Sequence, residues 1–154
     1  MMRRWLYSDA VGRPGSWGLL VLRLVVGAAF LLHGWPKAQN PLAWMGPDAP
    51  VPGVLQSLAA LAEFGGGMGL ILGLLTRPAC LGIGGTMSVA LATVHLPHGD
   101  PFVGKPGSPS FELPAAYLAC AVLLLLVGAG RFSLDALLFG GPPGTSVERH
   151  PPAG

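Results

Sequence analysis

Residues 19–40 read LLVLRLVVGAAFLLHGWPKAQN, and this stretch decides the fold. It has the length and apolar content of a membrane span, since roughly 20 apolar residues cross a hydrocarbon core of about 30 Å. Yet it carries Arg23 in its inner half and His33 and Lys37 near its far end. A charge at the centre of a lipid-facing helix costs at least about 2.5–3.5 kcal/mol, so Arg23 must face protein. That requirement calls for partner helices, and the rest of the chain supplies them.

Composition agrees. Of 154 residues, 51% are apolar and 10% charged, with a mean hydropathy of +0.58. A soluble domain carries roughly 25% charged residues, so this is a membrane composition for about one domain. Many of the 24 glycines lie inside apolar runs, where they let helix backbones approach closely in lipid. A net charge of +2 without a basic cluster gives no basis for nucleic-acid binding. Cys80 and Cys120 stand singly in different apolar runs, without CxxC or zinc spacing. They read as small packing residues rather than a redox centre. Arg23 interrupts what would be the apolar core of a secretory signal, so the first helix reads as uncleaved.

Taken in order, residues 1–16 form an interfacial segment with Arg3, Arg4 and Arg13 beside Trp5 and Tyr7. The transmembrane domain covers residues 17–138. A first helix over 17–35 is ended or bent by Pro36, and a Pro/Gly-rich loop follows. A second helix spans 54–75, a tight turn occupies 76–78, and a third helix runs over 79–96. A second irregular loop leads to a fourth helix over 111–128, with Ser110 as its N-cap. Ser133 is placed to cap a short interfacial helix, and residues 139–154 have too little apolar content to stay ordered. The class is therefore all-α, a transmembrane four-helix bundle. Arg3, Arg4, Arg13, Arg77, Arg131 and Arg149 lie at one end, whereas the two long loops hold only Lys37 and Lys105. The positive-inside rule then makes both termini cytoplasmic and the protein multi-pass in the inner (plasma) membrane.

Depth counted along each helix brings polar groups together. At 1.5 Å per residue Arg23 lies about 9 Å from the cytoplasmic end, Glu63 about 20 Å, and His33 and His95 about 24–27 Å. Lys37 and Glu112 fall near the outer ends. In this register Arg23 reaches towards Glu63, as a pair that fixes helix register. The expected inward stripes are Arg23/Gly27/Phe30/Gly34/Lys37, Glu63/Gly66/Gly67/Leu70/Gly73, Gly85/Ser88/Ala92/His95 and Glu112/Ala116/Ala119. They describe close packing at the inner end and a polar pocket in the outer half. Intramembrane ionisable residues are a functional hypothesis by default. Each also has a plainer role: Lys37 can snorkel to headgroups and Glu112 can favour its own helix N-terminus. Two histidines alone are a weak haem signal, and Pro97 breaks the spacing of His95 and His98, so neither haem nor metal is expected.

The order LRLVVGAAFLLHGWPK, LAEFGGGMGLILGLLTR, a third helix ending in His, then FELPAAYLACAVLLLLVGAGRFSLDALL resembles the DoxX family of small four-helix membrane proteins. The resemblance covers about residues 19–138, through Arg23 and Gly27, His33-Gly34, Lys37, Glu63 with its glycines, and the final GRFSLDALL. Some members resemble the membrane subunit of thiosulfate:quinone oxidoreductase, and others accompany redox enzymes. The resemblance thus implies a quinone ligand and another redox protein or complex subunit as partner, with a homo-oligomer also open. On that reading His33, Glu63 and His95 handle protons as the catalytic set. Arg23, Lys37 and Glu112 contact the ligand, the cations favouring a semiquinone or substrate anion. The rival is a non-catalytic membrane anchor or assembly subunit whose polar cluster only locks the bundle. Whether the chain is itself an enzyme stays open.

Overall fold

The structure is a computed structural model that describes residues 11–140. The outer parts of the N-terminal interfacial segment and of the C-terminal tail, with Arg3, Arg4 and Arg149, lie outside the described residues. Among those described, every regular element is helical: α1 (Arg13–Gln39), α2 (Gly53–Leu72), α3 (Thr76–His95), α4 (Glu112–Val127) and α5 (Leu134–Phe139). The first three are long and apolar enough to cross a membrane, and α4 is a shorter apolar helix of 16 residues, about 24 Å. Each of α1 to α4 packs on its neighbour in sequence, while α1 and α4 meet only sparsely.

Leu19, Val26, Phe30, Leu70, Cys80, Ile83, Ala121 and Leu124 form the core. Outside it, Leu32, Leu61 and Leu126 are 68–73% exposed. Such a surface would be an aggregation liability in water and is an ordinary surface in lipid. Close approach of α1 and α2 depends on Gly27 and Gly67. A Cβ on Gly27 would stand 2.8 Å from the Gly67 carbonyl oxygen, closer than any real contact.

Several boundaries differ from expectation. Pro14 sits in the first turn of α1, where its missing N–H costs nothing, so the helix begins earlier. Pro36 falls inside the helix near its end, and α1 continues to Gln39. The turn lies at 73–75 rather than 76–78, with Gly73 (φ 64°) and Leu75 (φ 49°) both left-handed. Residues 76–78 instead open α3, because the Asp135 carboxylate accepts hydrogen bonds from the N–H groups of Leu75 (2.8 Å) and Thr76 (2.9 Å). A cap supplied from sixty residues away leaves no local trace. Ser110 does not cap α4, whose N-cap position is Phe111 and carries no side-chain cap. Ser133 does cap α5, accepting from Ala136 N at 3.1 Å.

Arg23 shows why depth counting misplaced the charges. Its guanidinium is fully buried and donates to the Phe132 carbonyl. It lies against Gly73, whose Cβ would strike it. The C-terminal end of α2 is thus level with Arg23. The first ten residues of α1, about 15 Å, project past it and meet the segment after α4. There Arg131 N donates to Ser16 Oγ (3.3 Å) and the Trp17 and Phe132 rings pack at 4.5 Å. Arg23 therefore does not tie α1 to Glu63.

The expected stripes on α1 and α2 do face inward, with Arg23, Gly27, Phe30, Gly34, Glu63, Gly66, Gly67, Leu70 and Gly73 all buried. Those on α3 and α4 do not: Gly85, Ser88, Ala92, Glu112, Ala116 and Ala119 are exposed. Ser88 and Thr93 return their hydroxyls to the Gly84 and Val89 carbonyls (2.8 and 2.7 Å), which satisfies them on an outward face.

Candidate functional site

Glu63 sits in a π-helical turn, Leu61–Gly65, inserted into α2. A second π turn, Leu91–His95, closes α3 on His95. Such wider turns re-aim side chains and are frequent at functional sites. Here the first directs Glu63 at Lys37, whose Nζ donates to both carboxylate oxygens at 2.6 and 2.7 Å. The two side chains are 5% and 23% exposed, so the pair is mostly shielded from water. Charge-assisted two-point bonds of this length are among the stronger polar contacts. Lys37 thus does not run out to the headgroups. Its ammonium also stands 4.5 Å from the centre of the Trp44 ring, a cation–π contact from the first loop.

That loop is fixed rather than draped. Gln56, buried at the start of α2, accepts from Met45 N (3.0 Å) and donates to the Val51 carbonyl (2.8 Å). Trp44 Nε1 donates to the Gln56 carbonyl at 3.0 Å. A loop that looked merely Pro-broken is therefore held down on α2, with its Trp over the ion pair.

Beside the ion pair lies a cavity of about 170 Å³ to which all four long helices contribute. α1 lines it with Phe30, His33 and Lys37, α2 with Glu63, α3 with Met87, and α4 with Leu113, Pro114 and Tyr117. Phe30 and Tyr117 meet edge-on at 5.0 Å. Three of the six expected site residues, His33, Glu63 and Lys37, come together here. The other three do not line this cavity. His95 bonds through Nδ1 to Asp100 (2.8 Å), and Glu112 points outward. Arg23 belongs to the opposite end, where Asp135 is its neighbouring charge. Among the described residues no group of three or more His, Cys, Asp or Glu side chains is placed to hold a metal ion.

Tyr117, Met87 and Trp44 were not anticipated. Tyr117 was findable as the one residue within α4 that pairs an apolar ring with a polar tip. The arrangement offers donors (His33, Lys37, Tyr117), one carboxylate and an otherwise apolar lining. It suits a small ring with polar substituents, the composition typical of ligand pockets.

Comparison with known proteins places the chain. The DoxX family model matches residues 18–96, spanning α1 to α3. The chain is 33% identical over 127 residues to inner membrane protein YqjF of Escherichia coli (strain K12), covering 79% of this chain and 92% of that one. An uncharacterised protein of Haemophilus influenzae is 32% identical over 122 residues, covering 79% and 90%. No solved structure matches. With its buried α1 arginine, glycine-packed α1–α2 pair and family match over half its length, the chain belongs to the DoxX family.

Proposed function

We propose that this DoxX protein resides in the inner membrane, as its relative YqjF does by name, and binds a quinone or similar small ring molecule in the outer cavity. The observation that carries the reading is the joining of His33, Lys37, Glu63 and Tyr117, from three helices, around one cavity with apolar walls. At about 170 Å³ the space is smaller than the roughly 300–1,000 Å³ of pockets that enclose a drug-sized ligand, so it suits a ring and not an isoprenoid tail. A quinone would supply two-electron redox chemistry that no side chain here supplies. His33 and Tyr117 would hydrogen-bond its oxygens, and Glu63 with His33 would hold and pass protons at those atoms. Lys37 would orient Glu63. Electrons would come from another redox protein, of which this chain is the membrane subunit. Arg13, Arg77 and Arg131 at one end support a topology with both termini cytoplasmic and the cavity in the outer half.

Native membranes extracted in mild detergent provide the test. The reading expects the purified complex to retain quinone and a second redox chain. Glu63→Gln and His33→Ala should insert normally yet cut quinone-linked turnover by about 10²-fold or more, the scale of a lost acid–base group. Full turnover in both variants would remove the active-site reading. The rival reading, a membrane anchor or assembly subunit, draws on the Lys37–Glu63 bond itself, which joins α1 to α2. It expects both variants to lose insertion or complex yield instead.

A further inference from the structure

We infer that the outer cavity is loaded sideways from the bilayer, through the seam between α1 and α4, by an uncharged ring ligand whose tail remains in lipid. The inference rests on reading the cavity as a ligand site and adds the route and charge class. The other helix pairs pack closely beside the cavity. Between α1 and α2, a Cβ on Gly34 would come within 2.9 Å of the Glu63 backbone. Between α2 and α3, Gly66 lies against Ile83 and Gly82 against Ala62, where a Cβ would be 3.2 and 3.1 Å from its neighbour. Between α3 and α4, Gly84 faces Leu118 and Ala121 at ordinary contact distance. At the loop end the Trp44 ring, held through Gln56, lies 4.5 Å from the Lys37 ammonium. The α1–α4 seam is the least packed of the four. These helices touch at few places, Phe30 on Tyr117 among them, and the half-exposed Leu113 and the exposed His33 border the cavity from the two sides.

Charge narrows the ligand further. Lys37 and Glu63 neutralise each other, and Trp44 covers one face of the ammonium. An anion would have to displace the carboxylate, and a cation the ammonium. Each would also give up its hydration to walls made largely of Phe30, Met87 and Leu113, a loss that an unpaired charge does not recover. A neutral ring already dissolved in lipid gives up little on entering such walls.

The route can be tested without a quinone, so its failure and that of the quinone reading are separable. The full chain with Met87→Cys is placed in lipid vesicles and treated with an uncharged, lipid-soluble maleimide. Labelling at position 87 is resolved from the native cysteines by peptide mass spectrometry. Adding Leu113→Trp should slow labelling roughly tenfold, and adding Leu113→Ala should speed it roughly threefold. The alanine variant keeps the test decisive should the tryptophan disturb insertion. A rate indifferent to residue 113 in both variants would overturn the inference. So would labelling by a charged, water-soluble maleimide that is as fast as by the lipid-soluble one, since that puts the entrance at the loop.

Discussion

The two ends of the bundle each place a cation near a carboxylate, and they use it differently. At the inner end Arg23 and Asp135 are both fully buried. Arg23 donates to the Phe132 carbonyl, and the Asp135 carboxylate accepts from Leu75 and Thr76 while its own N–H donates to Gly73 (2.8 Å). These charges terminate backbone: they hold the α2–α3 turn and the segment before α5 against α1. At the outer end Lys37 and Glu63 bond to each other, stand beside open space and rest on a π turn. The difference teaches that burial alone does not mark a functional charge. A charge spent on backbone groups is architecture, and one facing a cavity remains available to a ligand.

Breaking the inner end should have the largest effect on stability. Asp135→Ala leaves the buried Thr76 N–H and the part-buried Leu75 N–H without partners and Arg23 without its neighbouring charge, so a loss of about 3–5 kcal/mol is expected. Asp135→Asn, which keeps one acceptor oxygen, should lose less. Thermal unfolding in detergent micelles checks both, and equal melting of Asp135→Ala and the parent would show that the inner contacts are not structural. Next comes the glycine seam between the two ends. Gly27→Ala must push α1 off the Gly67 backbone, at about 1–3 kcal/mol by the same measurement.

At the outer end the expected stability cost shrinks. Glu63→Gln leaves a lysine that is 23% exposed and still stacked on Trp44. The shielded pair should therefore cost only about 1 kcal/mol, near the upper end for partly exposed ion pairs. A loss as large as that of Asp135→Ala would erase the distinction between the ends. His33→Ala, on an exposed side chain, should shift stability by no more than about 0.5 kcal/mol. If turnover falls with His33→Ala while melting stays unchanged, the comparison is sharpened in favour of a site. Unchanged turnover would remove His33 from it.

Legibility in the sequence also divided the molecule, along another line. On α1 and α2 the inward faces could be read because a hard constraint marks them. Arg23 and Glu63 cannot face lipid, and glycines at steps of three and four follow the same side. On α3 and α4 no such marker exists. Lipid is as apolar as a core, so an aliphatic helix shows no contrast between its faces, and small residues fit either environment. The small residues expected to pack inward, Gly85, Ser88, Ala92, Ala116 and Ala119, face outward instead, and Glu112 goes with them. Tyr117, one position on from Ala116, is the residue that reaches the cavity.

The sequence by itself determined the helical class, the apolar helices, the cap at Ser133 and the gathering of polar groups towards one end. These depend on local composition, on periodicity and on the cost of charge in lipid. Which charge meets which was decided by tertiary structure. α1 overhangs α2 by about 15 Å, a π turn rotates Glu63, and Asp135 caps a helix sixty residues earlier. Those partners are set by how whole helices slide and close on one another, and no window of sequence contains both sides of such a contact.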